Sequence, residues 1–113
     1  MKIKQYHIYL ADLEPAYGSE PGKIRPVVVV QTDFMNSNHK STIICPLTTS
    51  LVPESKILRV YLSKTETNLK KESDILVDQI RSIDNQRFIR RIGKLSQKQI
   101  MKLIRNLKII LFE

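Results

Sequence analysis

The sequence predicts one small domain of the mainly β or α+β class, in which an antiparallel, barrel-like sheet is followed by a single terminal helix. Apolar residues occur in segments of strand length over most of the chain, and only the last segment has helical spacing. Strands and helices do not alternate as they do in parallel sheets. A length of 113 residues fits a single domain, 1–113, without an internal repeat.

The first half contains three predicted strands. His7–Leu13 alternates between apolar and polar residues, as in a half-buried strand. Pro26–Gln31 is a continuous β-branched run, which is typical of a central strand buried on both faces. Thr42–Leu47 is a second buried strand. The segment Glu14–Lys23 has two prolines and two glycines and is a long loop, whereas Asp33–Lys40 is a polar turn.

The second half begins with another alternating segment, Lys56–Leu62, which is predicted to be a strand. A polar connection, Ser63–Asp74, follows it. Ile75–Ile83 is then predicted as one strand-like segment, and Asp84–Arg87 as a short turn or helical turn. Ile89–Leu95 is the last predicted strand.

The terminal segment is predicted to be an amphipathic helix that packs on the sheet. Ser96 and Gln99 have the spacing of a capping box, in which each side chain satisfies a backbone donor at the helix start. Met101 and Ile109 lie off the apolar stripe, which is explained either by contact with a partner or by a helix that lies in a groove. The stripe itself recurs at helical spacing through Ile100, Leu103, Ile104, Leu107, Ile110 and Leu111.

The charge of the chain is strongly positive. Nineteen Lys and Arg face eleven Asp and Glu, which gives a net charge of +8. Eight basic residues and no acidic residue lie between Arg87 and Lys108. Such an excess suits a polyanionic partner, because neutralising phosphates releases counterions. The partner is then nucleic acid or an acidic protein; the alternative is a solvated basic face.

Several functional classes are disfavoured by the composition. The single cysteine, Cys45, cannot form an internal disulfide and lies in an apolar run, so it is predicted to be a buried structural thiol. His7 and His39 are far apart, so no metal site or cofactor is expected. A signal peptide and a membrane-length apolar stretch are both lacking, so we expect a cytoplasmic protein without a membrane segment.

Common hydrolytic and phosphate-binding motifs are also lacking. His7 falls inside the first strand and His39 in a polar turn, neither beside a marked nucleophile, which disfavours a Ser-His-Asp site. Gly18 and Gly22 are not followed by the Gly-Lys-Ser/Thr of a phosphate-binding loop.

The first candidate site residue is Arg25, at the junction between the long loop and the valine strand. Pro26 restricts its backbone to an extended conformation. A guanidinium at the mouth of a loop matches two phosphate oxygens at once. The alternative is an edge arginine paired with Glu20.

Two further candidates are polar groups at strand ends. The hydroxyl of Thr48, after the second buried strand, can donate to a phosphate oxygen or bond the local backbone. In the segment 78–81, Gln79 can read a base edge, and Arg81 can pair with Asp78 or with phosphate.

Taken together, five ordered segments resemble the MazF/PemK family of toxin–antitoxin endoribonucleases. The similarity extends from about Tyr6 to Leu111. The segments are Leu10-x-Asp-Leu-x-Pro-x-x-Gly-Ser-Glu, Arg25-Pro-Val-Val-Val-Val, Pro46-Leu-Thr-Thr-Ser, Val77-Asp-Gln-Ile-Arg-Ser-Ile-Asp and Ile92-Gly-Lys-Leu-Ser.

The resemblance implies a CcdB/PemK-like fold, a small SH3-like barrel with a C-terminal helix, assembled into a twofold homodimer. It also implies a growth-inhibiting mRNA interferase that cleaves single-stranded RNA at a short motif, without metal or ribosome, through attack of the 2′-hydroxyl. The partner that it implies is a cognate antitoxin. An acidic, disordered antitoxin tail would match the basic charge.

Residue roles carried over from the family make Arg25 and Thr48 catalytic. Thr32 stands where many relatives have asparagine, which affects the expected cleavage motif and not the activity. The residues expected to bind RNA are Tyr17, Ser19, Glu20, Thr32, Gln79 and Arg81.

Two alternatives are open at this stage. One is the gyrase poison of the same fold, a binding protein without a nuclease centre. The Arg-Pro-Val and Pro-Leu-Thr-Thr-Ser motifs favour the nuclease, and the sequence ends in Leu-Phe-Glu and not in the Trp-Gly-Ile associated with gyrase binding. The other is a degenerate relative that only binds nucleic acid or regulates transcription; the presence of Arg25 and Thr48 argues against it.

Overall fold

The computed structural model describes residues 1–113 and contains seven strands, three α-helices and two single turns of 3₁₀ helix. The strands are β1 (His7–Asp12), β2 (Ile24–Val29), β3 (Ser41–Thr48), β4 (Arg59–Leu62), β5 (Ser73–Leu76), β6 (Arg81–Asp84) and β7 (Phe88–Lys94). The α-helices are α1 (Asp33–Asn36), α2 (Lys64–Thr67) and α3 (Gln97–Phe112), and the 3₁₀ turns are Val77–Gln79 and Asn85–Arg87.

The strands form one antiparallel sheet in the order β4-β5-β3-β2-β1-β7. β6 pairs with β3 off this path. On one side β3 pairs with β2. On its other side the first half of β3 pairs with β6, and its last two residues pair with β5. Together with the terminal helix, this arrangement confirms the predicted fold class.

The valine run forms the predicted central strand. β2 lies between β1 and β3, and Val27, Val28 and Val29 are fully buried. The strand begins at Ile24, two residues earlier than predicted, because Arg25 already pairs with Ala11 of β1. The core lies on both sides of this strand, since consecutive side chains point to opposite faces.

The prediction of one strand over 75–83 is wrong. This segment contains the end of β5, the 3₁₀ turn Val77–Gln79 and most of β6. The break has a topological cause: β5 pairs with β3 at Leu47 and Thr48, whereas β6 pairs with Ser41–Ile44. The chain has to leave the sheet between the two stretches, and apolar spacing alone does not reveal where.

A late strand start and two short helices also differ from the prediction, whereas the ends of β1, β2, β3 and β7 differ by only one or two residues. The strand predicted over 56–62 begins only at Arg59. The two polar connections each contain a short helix, capped by the side chains of Thr32 and Ser63 respectively. Helices of four residues are too short to show a 3.6-residue period, so the pattern does not detect them.

The predicted capping box at the start of α3 is confirmed. The Ser96 hydroxyl accepts from the Gln99 amide nitrogen at 3.2 Å, and the Gln99 side chain accepts from the Ser96 amide at 2.8 Å. The helix has sixteen residues, and neither it nor any other helix here has the length and apolarity needed to cross a bilayer.

The predicted apolar stripe of α3 is only partly buried. Leu103 is fully buried, but Ile104 and Leu111 are 39% and 50% exposed. Asn106 is buried instead, and its amide donates to the carbonyls of Lys56 and Arg59 at 3.1 and 3.3 Å. The buried face of the helix thus includes a polar side chain that satisfies one carbonyl of the β3–β4 connection and one of β4.

Cys45 is a buried core residue, as predicted. Burial, with a smaller contribution from the charge of Asp78, raises the pKa of its thiol to about 12. The thiolate, which is the reactive form, is therefore scarce at neutral pH.

This burial gives a prediction about thiol reactivity. We expect the native protein to resist alkylation by iodoacetamide at pH 8 and the urea-unfolded protein to react at the rate of an ordinary thiol, because unfolding returns the pKa towards about 8.5. Mass spectrometry over time measures both rates. Equal rates in the two states would contradict the burial of Cys45.

Candidate active site

Arg25 lies where the long loop joins the central strand. Its Nε donates to the Gly22 carbonyl at 2.8 Å, and its Nη1 donates to the Leu47 carbonyl at 3.2 Å. These bonds use two of the five guanidinium N–H donors, so the others are free to bind an anion. The alternative, an ion pair with Glu20, does not form. The loop and β3 together hold the guanidinium in place.

Thr48 is the last residue of β3 and is half-buried. Its Oγ1 accepts a hydrogen bond from the Ser50 amide at 3.1 Å, which is the local backbone role considered for it. A hydroxyl can accept and donate at the same time, so its proton is available to a ligand. The backbone contact thus orients the hydroxyl and leaves it able to donate.

The fold brings Arg25 and Thr48 together. The β2–β3 ladder ends at the pair Val27–Pro46, so Arg25 and Thr48 each lie two residues beyond the same end of the ladder. Both residues line one open cavity of about 270 Å³ at this end of the two strands. A phosphate in this cavity would meet a fixed positive charge and a hydroxyl donor.

Tyr17 and Glu20 lie in the loop before β2 and line neither this cavity nor the one that contains Gln79. Two hydrogen bonds connect these residues. The Glu20 amide donates to the Tyr17 carbonyl at 3.0 Å, and the Glu20 carboxylate accepts from the Tyr17 amide at 3.1 Å. Gly18, inside this turn, has a φ of +57° that favours glycine. Tyr17 is 73% exposed, so its side chain is accessible for stacking.

Ser19 and Gln79 meet in a second cavity of about 420 Å³. Gln79 reaches it from the 3₁₀ turn Val77–Gln79, which the sequence did not predict. Asp78 lines the same cavity and is exposed. Amide and carboxylate groups at one opening are suited to hydrogen bonds with base edges.

The structure does not bring Thr32 and Arg81 to either cavity. Thr32 follows the opposite end of β2 from Arg25, and its hydroxyl accepts from the Phe34 amide as the cap of α1. Arg81 begins β6 and pairs in register with Ile44, and its buried Nη1 has no partner. The ion pair between Arg81 and Asp78 does not form.

Three residues that sequence reasoning missed line the cavity of Arg25 and Thr48: Lys23, Thr49 and Ser73. Lys23 adds a second positive charge and is exposed. Its position two residues before Arg25 was visible in the sequence. Ser73 had no such signal, because its place beside Thr48 depends on the pairing of β5 with β3.

A network around Asp74 holds the turn that follows Thr48. Asp74 pairs with Thr48 in the β3–β5 register. Its Oδ2 accepts from the Val52 amide at 3.0 Å and from Arg59 Nη1 at 3.1 Å, and Arg59 Nη1 also donates to the Ser50 carbonyl at 2.9 Å. The turn that orients the Thr48 hydroxyl is thus tied to two neighbouring strands.

We expect Asp74→Asn to destabilise the protein by about 2–3 kcal/mol, because it leaves the partly buried Arg59 without its counter-charge. The Asp74 side chain is 4% exposed and that of Arg59 20%. Urea unfolding measures the change, and Glu54→Gln, at an exposed position of the same connection, is the control. An unfolding midpoint equal to that of the parent protein would show that the pair is not structural.

The two histidines lie outside the site. His7 Nδ1 accepts from Arg91 Nε at 3.0 Å, and burial, together with Arg91 and two lysines, lowers its pKa. His39 Nδ1 is 2.8 Å from the Ser41 carbonyl oxygen and 3.2 Å from the Ser41 hydroxyl. No group of three or more His, Cys, Asp or Glu side chains could hold a metal ion.

The model of a protein family described as PemK-like, MazF-like toxin of type II toxin-antitoxin system matches residues 4–111. The chain belongs to this family. A relative from Staphylococcus saprophyticus subsp. saprophyticus, named Endoribonuclease MazF, is 41% identical over 105 residues, which cover 92% of this chain and 86% of the relative. The family assignment inferred from the five segments is confirmed.

Solved structures named MazF or endoribonuclease share the fold. MazF from Deinococcus radiodurans superposes with a TM-score of 0.84 at 20% identity, covering 100% of this chain and 99% of that one. An endoribonuclease from a mycobacterial species, solved in complex with its cognate antitoxin, has a TM-score of 0.79 at 16% identity and covers 96% and 94% of the two chains. At these identities the likeness concerns the fold alone.

Proposed function

We propose that this chain is the toxin of a type II toxin–antitoxin system, an endoribonuclease that cleaves single-stranded RNA at a short sequence motif. The observation that carries the proposal is the juxtaposition of Arg25 and Thr48 at one cavity, in a chain 41% identical to an endoribonuclease. Residues 1–113 act as a single toxin domain. The cleaving unit is a homodimer.

The proposed reaction uses the 2′-hydroxyl of the RNA as the nucleophile. Its oxygen forms a bond to the adjacent phosphorus while the bond to the 5′ oxygen breaks. The 2′-hydroxyl loses its proton and the 5′ oxygen gains one. The products are a 2′,3′-cyclic phosphate and a 5′-hydroxyl. Negative charge accumulates on the non-bridging oxygens in the transition state, so fixed donors accelerate the reaction without a metal ion.

Arg25 is the main stabiliser of this charge in the proposal. Its guanidinium is fixed by the Gly22 and Leu47 carbonyls, so little reorganisation is needed when the charge develops. The Thr48 hydroxyl is the second donor. Lys23, at the rim of the same cavity, adds to the positive potential that attracts the phosphate.

Base recognition is assigned to the second cavity. Gln79 and Asp78 offer hydrogen-bonding groups there, and Ser19 lines the same cavity from the loop. The exposed Tyr17 ring is suited to stack on an unpaired base, at about 1–3 kcal/mol per stack. Unpaired RNA fits these features, because its bases can be turned outwards and read on their edges.

The proposed protein partner is an antitoxin with an acidic segment. The positive charge of the RNA cavities suits such a segment as well as it suits RNA. A related endoribonuclease has been solved with its cognate antitoxin. We expect poly-glutamate to compete with RNA, raising KM without lowering kcat. A decrease in kcat with an unchanged KM would show that poly-glutamate binds outside the RNA cavities and would contradict this prediction.

The proposal is tested by incubating the purified protein with naked RNA in EDTA and sequencing the 5′ ends of the fragments. We expect cuts at one short motif, with fragments that carry 5′-hydroxyl ends. Intact RNA, or cutting that requires added metal, would contradict the proposal. Stalling of gyrase on DNA by a protein that leaves RNA intact would favour the binding-toxin alternative.

Gln79→Ala is expected to relax the sequence preference, lowering discrimination at one base of the motif by roughly tenfold, because one set of base-edge hydrogen bonds is lost. The same sequencing experiment measures it. Gln86→Ala, at an exposed position of the second 3₁₀ turn, is the matched control. An unchanged motif with Gln79→Ala would remove this residue from base recognition.

A further inference from the structure

A third cavity, of about 560 Å³, borders the one that contains Arg25 and Thr48. The two cavities share Pro26, Thr49 and Ser73, so they meet at the ends of β2, β3 and β5. A chain bound at the first cavity can pass into the third without crossing the core.

The sheet register places a positive charge at a defined position in this third cavity. Leu10 of β1 pairs with Pro26 on one side and with Arg90 of β7 on the other. Adjacent strands are about 4.8 Å apart, so the Arg90 backbone lies roughly 10 Å from that of Pro26. Arg90 and Pro26, the residue after Arg25, are therefore separated only by strand β1.

Two lysines of the α2–β5 connection complete the cavity. Lys70 and Lys71 line it with Arg90, and all three are exposed. None of the three takes part in an ion pair. The acidic residue beside them, Glu72, does not line the cavity, and its carboxylate accepts from the Lys64 amide at 2.6 Å. The three positive charges are therefore available to an external anion.

We propose that Lys70, Lys71 and Arg90 form a subsite for the phosphates of nucleotides that flank the cleaved bond. This inference rests on the proposed function and assigns to the enzyme a second, sequence-independent contact with its RNA. The subsite holds the backbone by charge, while the cavity of Ser19, Asp78 and Gln79 reads bases. An RNA chain with a flank that reaches the subsite binds more tightly than the motif alone.

The test compares two RNA substrates: the cleaved motif alone, and the motif with about six uridines added at either end, a length in the range of single-strand binding sites. The measured quantity is the ratio of kcat/KM for the longer substrate to that for the shorter one. We expect a ratio of roughly ten or more at low salt for the parent protein. Lys70→Ala/Lys71→Ala/Arg90→Ala is expected to reduce it to about one or two.

The salt dependence provides a second readout. Each phosphate contact with single-stranded RNA contributes about 0.7 to the slope of log affinity against log salt concentration. The triple variant is thus expected to lower the slope for the longer substrate by about two. Lys2→Ala/Lys40→Ala/Lys98→Ala removes the same charge from exposed positions outside the three cavities and is expected to retain the parent ratio and most of the slope.

The outcomes separate this inference from the proposed function. If the parent protein cuts neither substrate, the proposed function fails. If it cuts both and the triple variant keeps the parent ratio, the subsite is wrong although the function stands. A triple variant that keeps the ratio but loses affinity for poly-glutamate would assign the three positive charges to an acidic protein partner, and this would also overturn the subsite.

Discussion

Arg25→Ala is expected to lower kcat/KM for RNA cleavage by roughly 10²–10³-fold, the effect of removing one fixed donor to a developing oxyanion. The effect should be large because the guanidinium is fixed by two carbonyl contacts and Arg25 lines the same cavity as Thr48. Single-turnover cleavage of a labelled RNA in EDTA measures the change.

Two controls separate charge and geometry from folding. Arg25→Lys keeps the charge but loses the planar fork, so we expect a smaller loss, of roughly 10–10²-fold. Arg105→Ala removes an exposed arginine of α3 and should cut RNA as the parent does. Circular dichroism and urea unfolding verify that each variant is folded. Parent-like cleavage by Arg25→Ala would remove this residue from the active site.

Thr48→Val is expected to slow cleavage by roughly 10²-fold, because valine keeps the β-branched shape of the side chain but cannot donate to the phosphate. It also loses the contact with the Ser50 amide, so part of the loss comes from a less ordered turn. Thr48→Ser retains the hydroxyl and should recover most of the rate. The same single-turnover assay measures both variants.

The control for this series is Thr65→Val, which removes an exposed hydroxyl from α2. It should leave the rate unchanged. If Thr48→Ser is as slow as Thr48→Val while both remain folded, the hydroxyl does not act as a donor, and the role of Thr48 is confined to the shape of the turn.

The fold was largely predictable where the sequence pattern is local. The valine run, the first strand and the capping box of α3 each leave a signal within a few residues, and the structure contains all three elements. The first strand is not half-buried as its alternation predicted, because Ile8 and Tyr9, on opposite faces of β1, are both fully buried between β2 and β7. The break at Val77–Gln79 was not predictable, since it arises from the change of partner along β3. The burial of Asn106 was missed for the same reason, because its partners lie in a distant connection.

The candidate site divides in the same way. Arg25 and Thr48 stand at strand ends that the sequence identifies, and the β2–β3 register explains why they meet. Asp74 and Ser73 act on the same region from β5, about 25 residues further along the chain, and no local pattern connects them to Thr48. Thr32 and Arg81 line neither cavity, so only the sequence supports their role in RNA binding, and this role stays a prediction.

The central claim is that Arg25 and Thr48 act on one phosphate. A double-mutant cycle with Arg25→Ala, Thr48→Val and the combined variant, measured by single-turnover cleavage in EDTA, tests it most directly. Groups that act as a unit have strongly non-additive effects, so we expect the combined variant to be within roughly tenfold of the slower single variant. Losses that multiply fully, to roughly 10⁴–10⁵-fold, would show that the two side chains act independently and would contradict the shared phosphate site.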